Sequence, residues 1–252
     1  MMRFLAVLSV AFTFLASLPA LAFDVRAMTP EEVQAFRAEV RSYLLDNPEV
    51  LMEAIAILEQ RRNEQSRDAE VAMIEHNSTV IFDDGVSYVG GNPDGDVTFV
   101  EFLDYRCAFC KRAFPAVEEL IVSDGNIRFI VKEFPILGEA SVLGARYALA
   151  TKRVEGDAAY KLVHDAMMEM RGDLNQGSIA RISKEFSLDH DDIADEMDSE
   201  EITRIIDNNR MLAQRLQIQG TPSFIMGSNI LRGFVELDQM RAIVDAIRQE
   251  QG

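Results

Sequence analysis

The chain is poor in the residues that build metal sites and disulfide scaffolds. Its 252 residues include two cysteines and three histidines, and the histidines lie far apart, at His76, His164 and His190. A tetrahedral zinc site needs four ligands, often two cysteine pairs or one pair with two closely spaced histidines. We therefore expect no metal. Because two cysteines cannot staple a chain of this size, the fold must depend on a hydrophobic core.

Basic residues are also scarce. The chain has 25 Lys and Arg residues against 42 Asp and Glu residues, which gives a formal net charge of −17 at pH 7. Such a surface repels phosphate groups, so nucleic acid and anionic membrane surfaces are not expected as partners. The charge mainly promotes solubility.

The one long apolar run lies at the N-terminus. Residues 1–3 supply a positive start, residues 4–18 are uncharged and apolar, and Pro19-Ala20-Leu21-Ala22 ends in small residues. This pattern is typical of a secretory signal peptide, with cleavage expected after Ala22. The alternative, an uncleaved membrane anchor, would need a run of about 20 apolar residues. We expect export to the periplasm, an oxidising compartment in which disulfides persist.

The two cysteines are separated by two residues, as Cys107-Ala108-Phe109-Cys110. Residues 96–105 are mostly apolar, with β-branched and aromatic side chains, and predict a buried strand, whereas residues 111–122 show helical spacing. The pair is therefore predicted at a helix N-terminus, where free N–H groups and the helix dipole favour a thiolate. A thiolate is the nucleophile of disulfide exchange. The alternative, a structural disulfide, would close a very short loop and contribute little.

The region before this domain predicts a helical arm. Thr29, Pro30 and Glu32 form a helix start with a capping box, and Asp46-Asn47-Pro48 separates a second helix. Two short amphipathic helices cannot form a core alone. We expect residues 29–70 to form a homo-oligomer, of which a trimer is one form. Packing of the arm on its own domain is the alternative.

The rest of the chain alternates strand and helix patterns. Residues 126–134 predict a second central strand, residues 221–234 a hairpin, and residues 237–249 a closing amphipathic helix. Between the second strand and the hairpin, the pattern is helical. A β-α-β half and a β-β-α half that are separated by helices predict an α/β sandwich with an inserted helical subdomain.

Three segments together resemble the DsbA-like thiol–disulfide oxidoreductases. They are residues 99–110 around the cysteines, residues 131–138 (Val-Lys-Glu-Phe-Pro-Ile-Leu-Gly) and residues 219–224 (Gln-Gly-Thr-Pro-Ser-Phe). Within that family the chain is most similar to the ScsC type, which carries an N-terminal oligomerisation arm. The resemblance implies an α/β thioredoxin fold. The expected organisation is a signal peptide at 1–22, a helical arm and linker at 23–78, and a catalytic domain at 79–252 with a helical insertion at about 139–216.

The resemblance also implies roles for single residues. Cys107 is the expected attacking thiol and Cys110 its resolving partner. Thr221-Pro222 matches a cis-proline loop that binds extended substrates, whereas a trans proline opening a strand is the alternative. Glu101 matches a buried acid that takes or relays a proton near Cys110, with Lys132 as its expected partner on the next strand. The alternative is that both charges face solvent.

Two weaker interpretations concern the surroundings of the pair. Arg106 is expected to stabilise the thiolate of Cys107, weakly because an exposed cation contributes little. Met167, Met168 and Met170 offer thioethers suited to Cu(I), but Met is more often a core residue, so no cofactor is expected.

The predicted function is disulfide exchange, as isomerase or oxidase, with cysteine-containing secreted or periplasmic proteins and with a membrane redox partner. The alternative is a chaperone-like or surface-binding module with an incidental disulfide.

Overall fold

A computed structural model of the chain describes residues 28–251, so the expected signal peptide lies outside the described residues. The chain divides into two compact units between Gln60 and Arg61. No helix within residues 28–251 is long and apolar enough to cross a lipid bilayer.

The first unit consists of helix α1 (Pro30–Asp46) and the first part of α2 (Glu49–His76). The predicted capping box is confirmed: Glu32 N–H donates to Thr29 Oγ1 at 3.3 Å, and Thr29 N–H donates to Glu32 Oε2 at 2.8 Å. The predicted break before α2 is confirmed as well. Helix α1 has no buried residue. Large apolar side chains of this unit are 41–67% exposed, at Phe36, Val40, Tyr43, Leu45, Leu51, Met52, Ile55, Ile57 and Leu58.

The second unit is built on a five-stranded sheet in the order β1-β3-β2-β4-β5. Its elements in chain order are α3 (Ser78–Phe82), β1 (Tyr88–Gly91), β2 (Val97–Leu103), α4 (Ala108–Asp124), β3 (Ile127–Glu133), α5 (Glu139–Glu155), α6 (Asp157–Glu169), α7 (Gln176–Glu185), α8 (His190–Met197), α9 (Glu200–Arg215), β4 (Ser223–Met226), β5 (Asn229–Arg232) and α10 (Leu237–Gln251).

Strands β2 and β3 form the parallel centre of the sheet, and β4 pairs antiparallel with β2. Phe99 and Phe129 pack into the core on one face, and Val100 and Ile130 into the core on the other. Because both faces are covered, the central strands are apolar nearly throughout instead of alternating. The expected α/β sandwich, with helices inserted between β3 and β4, is confirmed.

The inserted helices pack against the end of β2. An added Cβ at Gly144 of α5 would lie 2.5 Å from Leu174 Cδ2 and 3.1 Å from Tyr105 Cδ2. A glycine at this position therefore allows α5 to approach Tyr105 closely without displacing Leu174. Tyr105 lies two residues before the first cysteine. The insertion thus forms one wall of the region in which the cysteines lie.

Candidate redox site

The cysteines lie where α4 leaves the sheet. Cys107 is the N-cap residue of α4, and its sulfur accepts a hydrogen bond from Cys110 N–H at 3.4 Å. Both thiols are free. A capping sulfur close to unpaired helix N–H groups is stabilised as an anion by these groups and by the helix dipole. The sequence placed the pair at this helix end, and the structure has it there.

Asp104 shapes the loop between β2 and α4. Its Oδ1 accepts the Arg106 N–H at 2.8 Å, which fixes the turn, and its backbone carbonyl accepts the Cys107 N–H at 2.9 Å. Its Oδ2 accepts the N–H groups of Ile136 and Leu137 at 2.8 and 3.1 Å. One carboxylate thus joins the cysteine loop to the loop that follows β3. Sequence reasoning missed this residue, although an Asp two residues before a turn end is a known turn signal.

The loop before β4 lies against the first cysteine. The Thr221–Pro222 peptide bond is cis, the geometry expected from the sequence. The Cys107 thiol donates to the Thr221 carbonyl oxygen, with 3.0 Å between sulfur and oxygen. Since β4 pairs with β2 over residues 99–102, this loop and the cysteine loop emerge at the same end of the sheet. An extended chain lying along the loop would bring a sulfur of its own to Cys107.

The surroundings of Cys107 favour its thiolate. Hydrogen bonding from the Cys110 thiol, which outweighs the opposing effect of burial, lowers the pKa of Cys107 from 9.0 to about 5, with further donors from the Thr221 side chain and from the N–H groups of Cys110 and Phe109. Thr221 acts in both directions, because its carbonyl accepts the thiol hydrogen and so favours the neutral form. The donors to sulfur outnumber that single acceptor, so we expect the anion at neutral pH.

Cys110 has the opposite electrostatics. It is 0% exposed, against 6% for Cys107. Burial is the main reason that its pKa is raised far above 9.0, and the Cys107 side chain and the charge of Glu101 add to the effect. The Cys107 sulfur therefore ionises readily, whereas the Cys110 sulfur stays protonated. Cys107 is the more accessible of the two, but only an edge of it reaches solvent.

Glu101 lies in β2, six residues before Cys107, and is 2% exposed. No group among residues 28–251 hydrogen-bonds to its Oε1. Burial, followed by the charges of Glu118, Glu133 and Cys107, raises the pKa of Glu101 from 4.5 to about 8. The alternative prediction, that the Glu101 side chain faces solvent, is therefore wrong. The side chain is a buried carboxyl that can hold a proton near neutral pH.

The predicted partnership of Lys132 with Glu101 is wrong. In the β2–β3 register Lys132 lies opposite Phe102, one residue on from Glu101, so it points to the other face of the sheet. There its Nζ donates to the Val80 carbonyl at 2.8 Å and to Asp84 Oδ2 at 2.6 Å. Lys132 is 0% exposed and is a structural cation, not part of the redox site. The alternative that it faces solvent is wrong too.

Arg106 is exposed, next to Cys107. Within the described chain its only hydrogen bond is made by its backbone N–H, to Asp104. The groups that lower the pKa of Cys107 are the thiol, hydroxyl and backbone donors described above. A contribution of the guanidinium to the thiolate therefore stays a prediction.

Sequence reasoning missed a buried hydrogen-bond network beside the pair. Glu133 Oε1 accepts the hydroxyls of Tyr105 at 2.7 Å and Tyr160 at 2.6 Å. The Tyr105 hydroxyl also lies 3.1 Å from His164 Nδ1. Burial lowers the pKa of His164 from 6.5 to about 3, so its ring is neutral. A signal for it was present in the sequence: Tyr105 lies at the end of one predicted central strand and Glu133 near the end of the other, and the ends of neighbouring parallel strands lie close together.

A groove of about 1160 Å³ lies between α4 and residues 165–174 of the insertion. At its edge Lys111 Nζ donates to the carbonyls of Met167 at 3.0 Å and Met170 at 2.6 Å. The side chains of Met167 and Met168 are 0% and 3% exposed and belong to the core. Met170, the third residue of the copper interpretation, is partly buried and packs against the same core, so packing accounts for all three thioethers. Residues 28–251 contain no cluster of three or more His, Cys, Asp or Glu side chains placed to hold a metal.

A helix-capping cysteine of low pKa beside a cis-proline loop, on a sheet of this order, makes a candidate redox site of the thioredoxin class. Residues 83–246 match the thioredoxin family, and the chain belongs to that family. Residues 32–65 match the N-terminal domain of the copper resistance protein ScsC. The resemblance to the DsbA-like and ScsC-type proteins is confirmed.

Solved structures agree with this assignment. A thioredoxin-like oxidoreductase from Silicibacter pomeroyi is 40% identical, with a TM-score of 0.65 over 68% of this chain and 97% of that one. The thiol-disulfide exchange protein alpha-DsbA2 from Wolbachia pipientis is 31% identical, with a TM-score of 0.68 over 73% and 98% of the two chains. A linker-deleted ScsC from Proteus mirabilis is 27% identical, with a TM-score of 0.64 over 89% and 98%.

Curated relatives include much longer proteins. The sodium/proton antiporter NhaA 3 of Salinispora tropica is 26% identical over 161 residues, which are 62% of this chain and 24% of that protein. The chain thus spans about a quarter of the length of the antiporters that it matches.

Proposed function

We propose that the protein is a thiol–disulfide oxidoreductase that exchanges disulfides with cysteine-containing secreted or periplasmic proteins. The observation that carries the proposal is the Cys107 sulfur at the N-cap of α4, 3.0 Å from the carbonyl oxygen of Thr221 in the cis-proline loop. A sulfur in this position is activated as a thiolate, and it lies directly beside the loop along which a client chain would bind. The similarity to a thioredoxin-like oxidoreductase and to a thiol-disulfide exchange protein supports the same activity.

In the reducing direction the Cys107 thiolate attacks one sulfur of a client disulfide. The client S–S bond breaks, one client sulfur leaves as a thiolate, and a Cys107–client disulfide forms. Cys110 then loses its proton and attacks Cys107, which releases the second client thiolate and leaves a Cys107–Cys110 disulfide. Two electrons have passed to the client. In isomerisation, a second client thiolate displaces Cys107 instead.

Glu101 serves as the proton acceptor and donor of this cycle. Cys110 must lose a proton to attack and must regain one when it leaves, because its buried thiolate is strongly disfavoured. Glu101 is the buried carboxyl of β2 with a free oxygen, and its charge acts on Cys110. A carboxyl with a pKa of about 8 matches the working pH and can serve in both directions.

Clients bind as extended segments along the Thr221–Pro222 loop. Three apolar side chains are exposed near the site: Phe109 by 58%, Leu137 by 47% and Ile136 by 39%. Asp104 holds the backbone N–H groups of Ile136 and Leu137, so these two side chains stay next to the cysteine loop. Apolar segments of incompletely folded proteins fit such a surface, which favours unfolded clients over folded ones.

The direction of the reaction depends on how the pair is kept in the cell. A low pKa at Cys107 stabilises the dithiol form and so makes the disulfide oxidising. We assign the protein to the periplasm, with its signal peptide cleaved after Ala22, and we assign its regeneration to a membrane redox partner. Trapping of thiols in cells by alkylation shows the resting redox state of the pair. Reduced Cys107 and Cys110 indicate an isomerase or a reductant, and a disulfide between them indicates an oxidase.

The arm joins several copies of the chain into a homo-oligomer through residues 29–70, for which we propose a trimer. The support is the set of nine large apolar side chains on α1 and α2 that are 41–67% exposed, since clustered exposed apolar residues mark interaction surfaces. The match of residues 32–65 to the ScsC N-terminal domain supports it as well. Several Cys107 thiolates around one client would favour isomerisation.

The enzyme proposal is tested with insulin reduction and with refolding of scrambled ribonuclease. Wild type should accelerate at least insulin reduction, Cys107→Ser should be inactive, and Cys110→Ala should accumulate Cys107-linked client on non-reducing gels. A double variant that lacks both sulfurs is the matched control for the gel. If wild type and Cys107→Ser gave equal rates, the chaperone-like alternative would replace the enzyme proposal.

The oligomer proposal is tested by charging the apolar surface of the arm. Phe36→Asp combined with Tyr43→Asp should give a monomer by light scattering, with insulin reduction retained and ribonuclease refolding lost. Gln34→Asp, an exposed polar position on the same helix, is the control and should keep the wild-type mass. An unchanged mass in the double variant would contradict the proposal.

A further inference from the structure

Glu101 has a second buried carboxyl as its neighbour. In the register of the parallel strands Glu101 lies opposite Val131, so Glu133, two residues further along β3, is on the same face of the sheet. With strands about 4.8 Å apart and a rise of about 3.3 Å per residue, the two Cα atoms are about 8 Å apart. Two glutamates therefore face the same core layer as Cys110.

Neither carboxyl has a cation to balance it. Glu101 is 2% and Glu133 is 1% exposed, and no ion pair within residues 28–251 includes either one. Glu101 Oε1 and Glu133 Oε2 both lack a hydrogen-bond partner in that part of the chain. Burial raises the pKa of each to about 8. Two such groups hinder each other's ionisation and titrate as a pair.

The hydroxyls decide which carboxyl ionises first. Tyr105 and Tyr160 both donate to Glu133 Oε1, which favours the carboxylate of Glu133, whereas Glu101 has no equivalent donor. Because the Tyr105 hydrogen points to Glu133, the neutral ring of His164 donates its Nδ1–H to the Tyr105 oxygen. The chain of donors thus runs from His164 through Tyr105 to Glu133.

The neighbouring charges do not change this order. Glu118, the first charge acting on Glu101, is held by Lys161 at 3.0 Å, which reduces its effect. The titratable groups around the two carboxyls are Cys107, Cys110 and Glu118 of α4, Asp104 and Tyr105 of the cysteine loop, Tyr160, Lys161 and His164 of α6, and Tyr88 of β1.

We propose that Glu101 and Glu133 form a coupled pair that shares one proton, and that Glu133 is the positioning residue that keeps this proton on Glu101. This inference rests on the proposed disulfide exchange. When a client thiolate attacks Cys107 of the disulfide form, the Cys107–Cys110 bond breaks and Cys110 leaves as a thiolate. The proton of Glu101 passes to the Cys110 sulfur, and Glu101 becomes the carboxylate until solvent reprotonates it.

The test is a titration of the glutamate carboxyl carbons by NMR in the reduced, full-length protein, with Glu101→Gln used for assignment. In Glu133→Gln the repulsion is gone, so the Glu101 midpoint should fall by about 1 unit or more, as expected for a charge about 8 Å away in a protein interior. Tyr105→Phe should bring the two midpoints closer together, with that of Glu133 rising because it loses a donor and that of Glu101 falling.

The matched control is Asn209→Ala, which removes the Asn209 side-chain bond to the Glu133 backbone carbonyl and leaves the carboxyl untouched. Its Glu101 midpoint should equal that of wild type. Reduction of the oxidised protein by glutathione, followed against pH, should slow at a lower pH in Glu133→Gln than in wild type. An unchanged Glu101 midpoint in both Glu133→Gln and Tyr105→Phe would overturn the inference.

The two proposals fail in different ways. The NMR titration and the reaction with glutathione need no protein client, so they can succeed even if exchange with insulin or ribonuclease fails. Conversely, if the protein exchanges disulfides with clients but the Glu101 midpoint does not shift in Glu133→Gln and Tyr105→Phe, the enzyme proposal stands and the coupled-pair proposal is rejected.

Discussion

Titration of Cys107 in the reduced protein should have its midpoint near pH 5, against 9.0 for an ordinary thiol. At pH 7 a thiol with the higher value is about 1% ionised and one with the lower value about 99%, so the thiolate fraction rises about 100-fold. Because alkylation proceeds through the thiolate, Cys107 should react near pH 7 at a rate that is flat with pH, whereas a free cysteine gains about tenfold per unit.

The same shift stabilises the reduced protein. A folded-state pKa below the unfolded value adds stability that is complete above pH 9.0 and is lost as the pH falls towards 5. At pH 7 the contribution is at most about 3 kcal/mol, since each unit corresponds to about 1.4 kcal/mol. In urea unfolding, the free energy of unfolding of the reduced protein should therefore rise relative to that of the oxidised protein as the pH is raised from 5 to 8.

Thiolate absorbance at 240 nm measures the midpoint, since the buried Cys110 thiol stays neutral over this range. Cys107→Ser should show no transition. Cys110→Ala should raise the midpoint, because the Cys110 thiol makes the largest contribution to the low pKa. Thr221→Val should raise it less. A midpoint near 9 in wild type would refute the activation of Cys107, and with it the mechanism proposed here.

Two further predictions concern the stability of the sheet that carries the site. Lys132→Met leaves the partly buried Asp84 without its cation and should lower the free energy of unfolding in urea by about 1–3 kcal/mol, with the Cys107 titration unchanged. Loss of the Cys107 transition in that variant would contradict a purely structural Lys132. Gly91→Ala places a Cβ 2.3 Å from the Ile127 carbonyl at a φ of +66° and should lower the melting temperature clearly. Gly172→Ala, with no atom within 4 Å, is its control and should melt like wild type.

The sequence predicted the parts of the site that local signals encode. The cysteine pair between a strand and a helix and the arm's capping residues follow from short stretches of chain, and the cis bond at Pro222 follows from the family motif. It did not predict the partner of Lys132, because that depends on which face of β3 the side chain takes. A shift of one residue in register exchanges the two faces.

The hydrogen-bond network of Glu133, Tyr105, Tyr160 and His164 was missed for a different reason. Tyr105 meets Glu133 across 28 residues and His164 across 59. Such contacts are set by the packing of α5 and α6 on the strand ends, and no local periodicity reports them. Glu101 is the intermediate case: its family motif indicated a buried acid, but the second carboxyl on the same face becomes visible only from the strand register.

Lys111 limits how the redox couple can be altered. Its ammonium group caps the carbonyl end of α6 at Met167 and Met170, so the residue directly after Cys110 is committed to anchoring the insertion. Ala108 and Phe109, between the cysteines, are exposed, and their side chains do not anchor the insertion. Substitutions that aim to change the reducing strength of the pair therefore belong at these two positions, where the chemistry can be varied and the architecture stays intact.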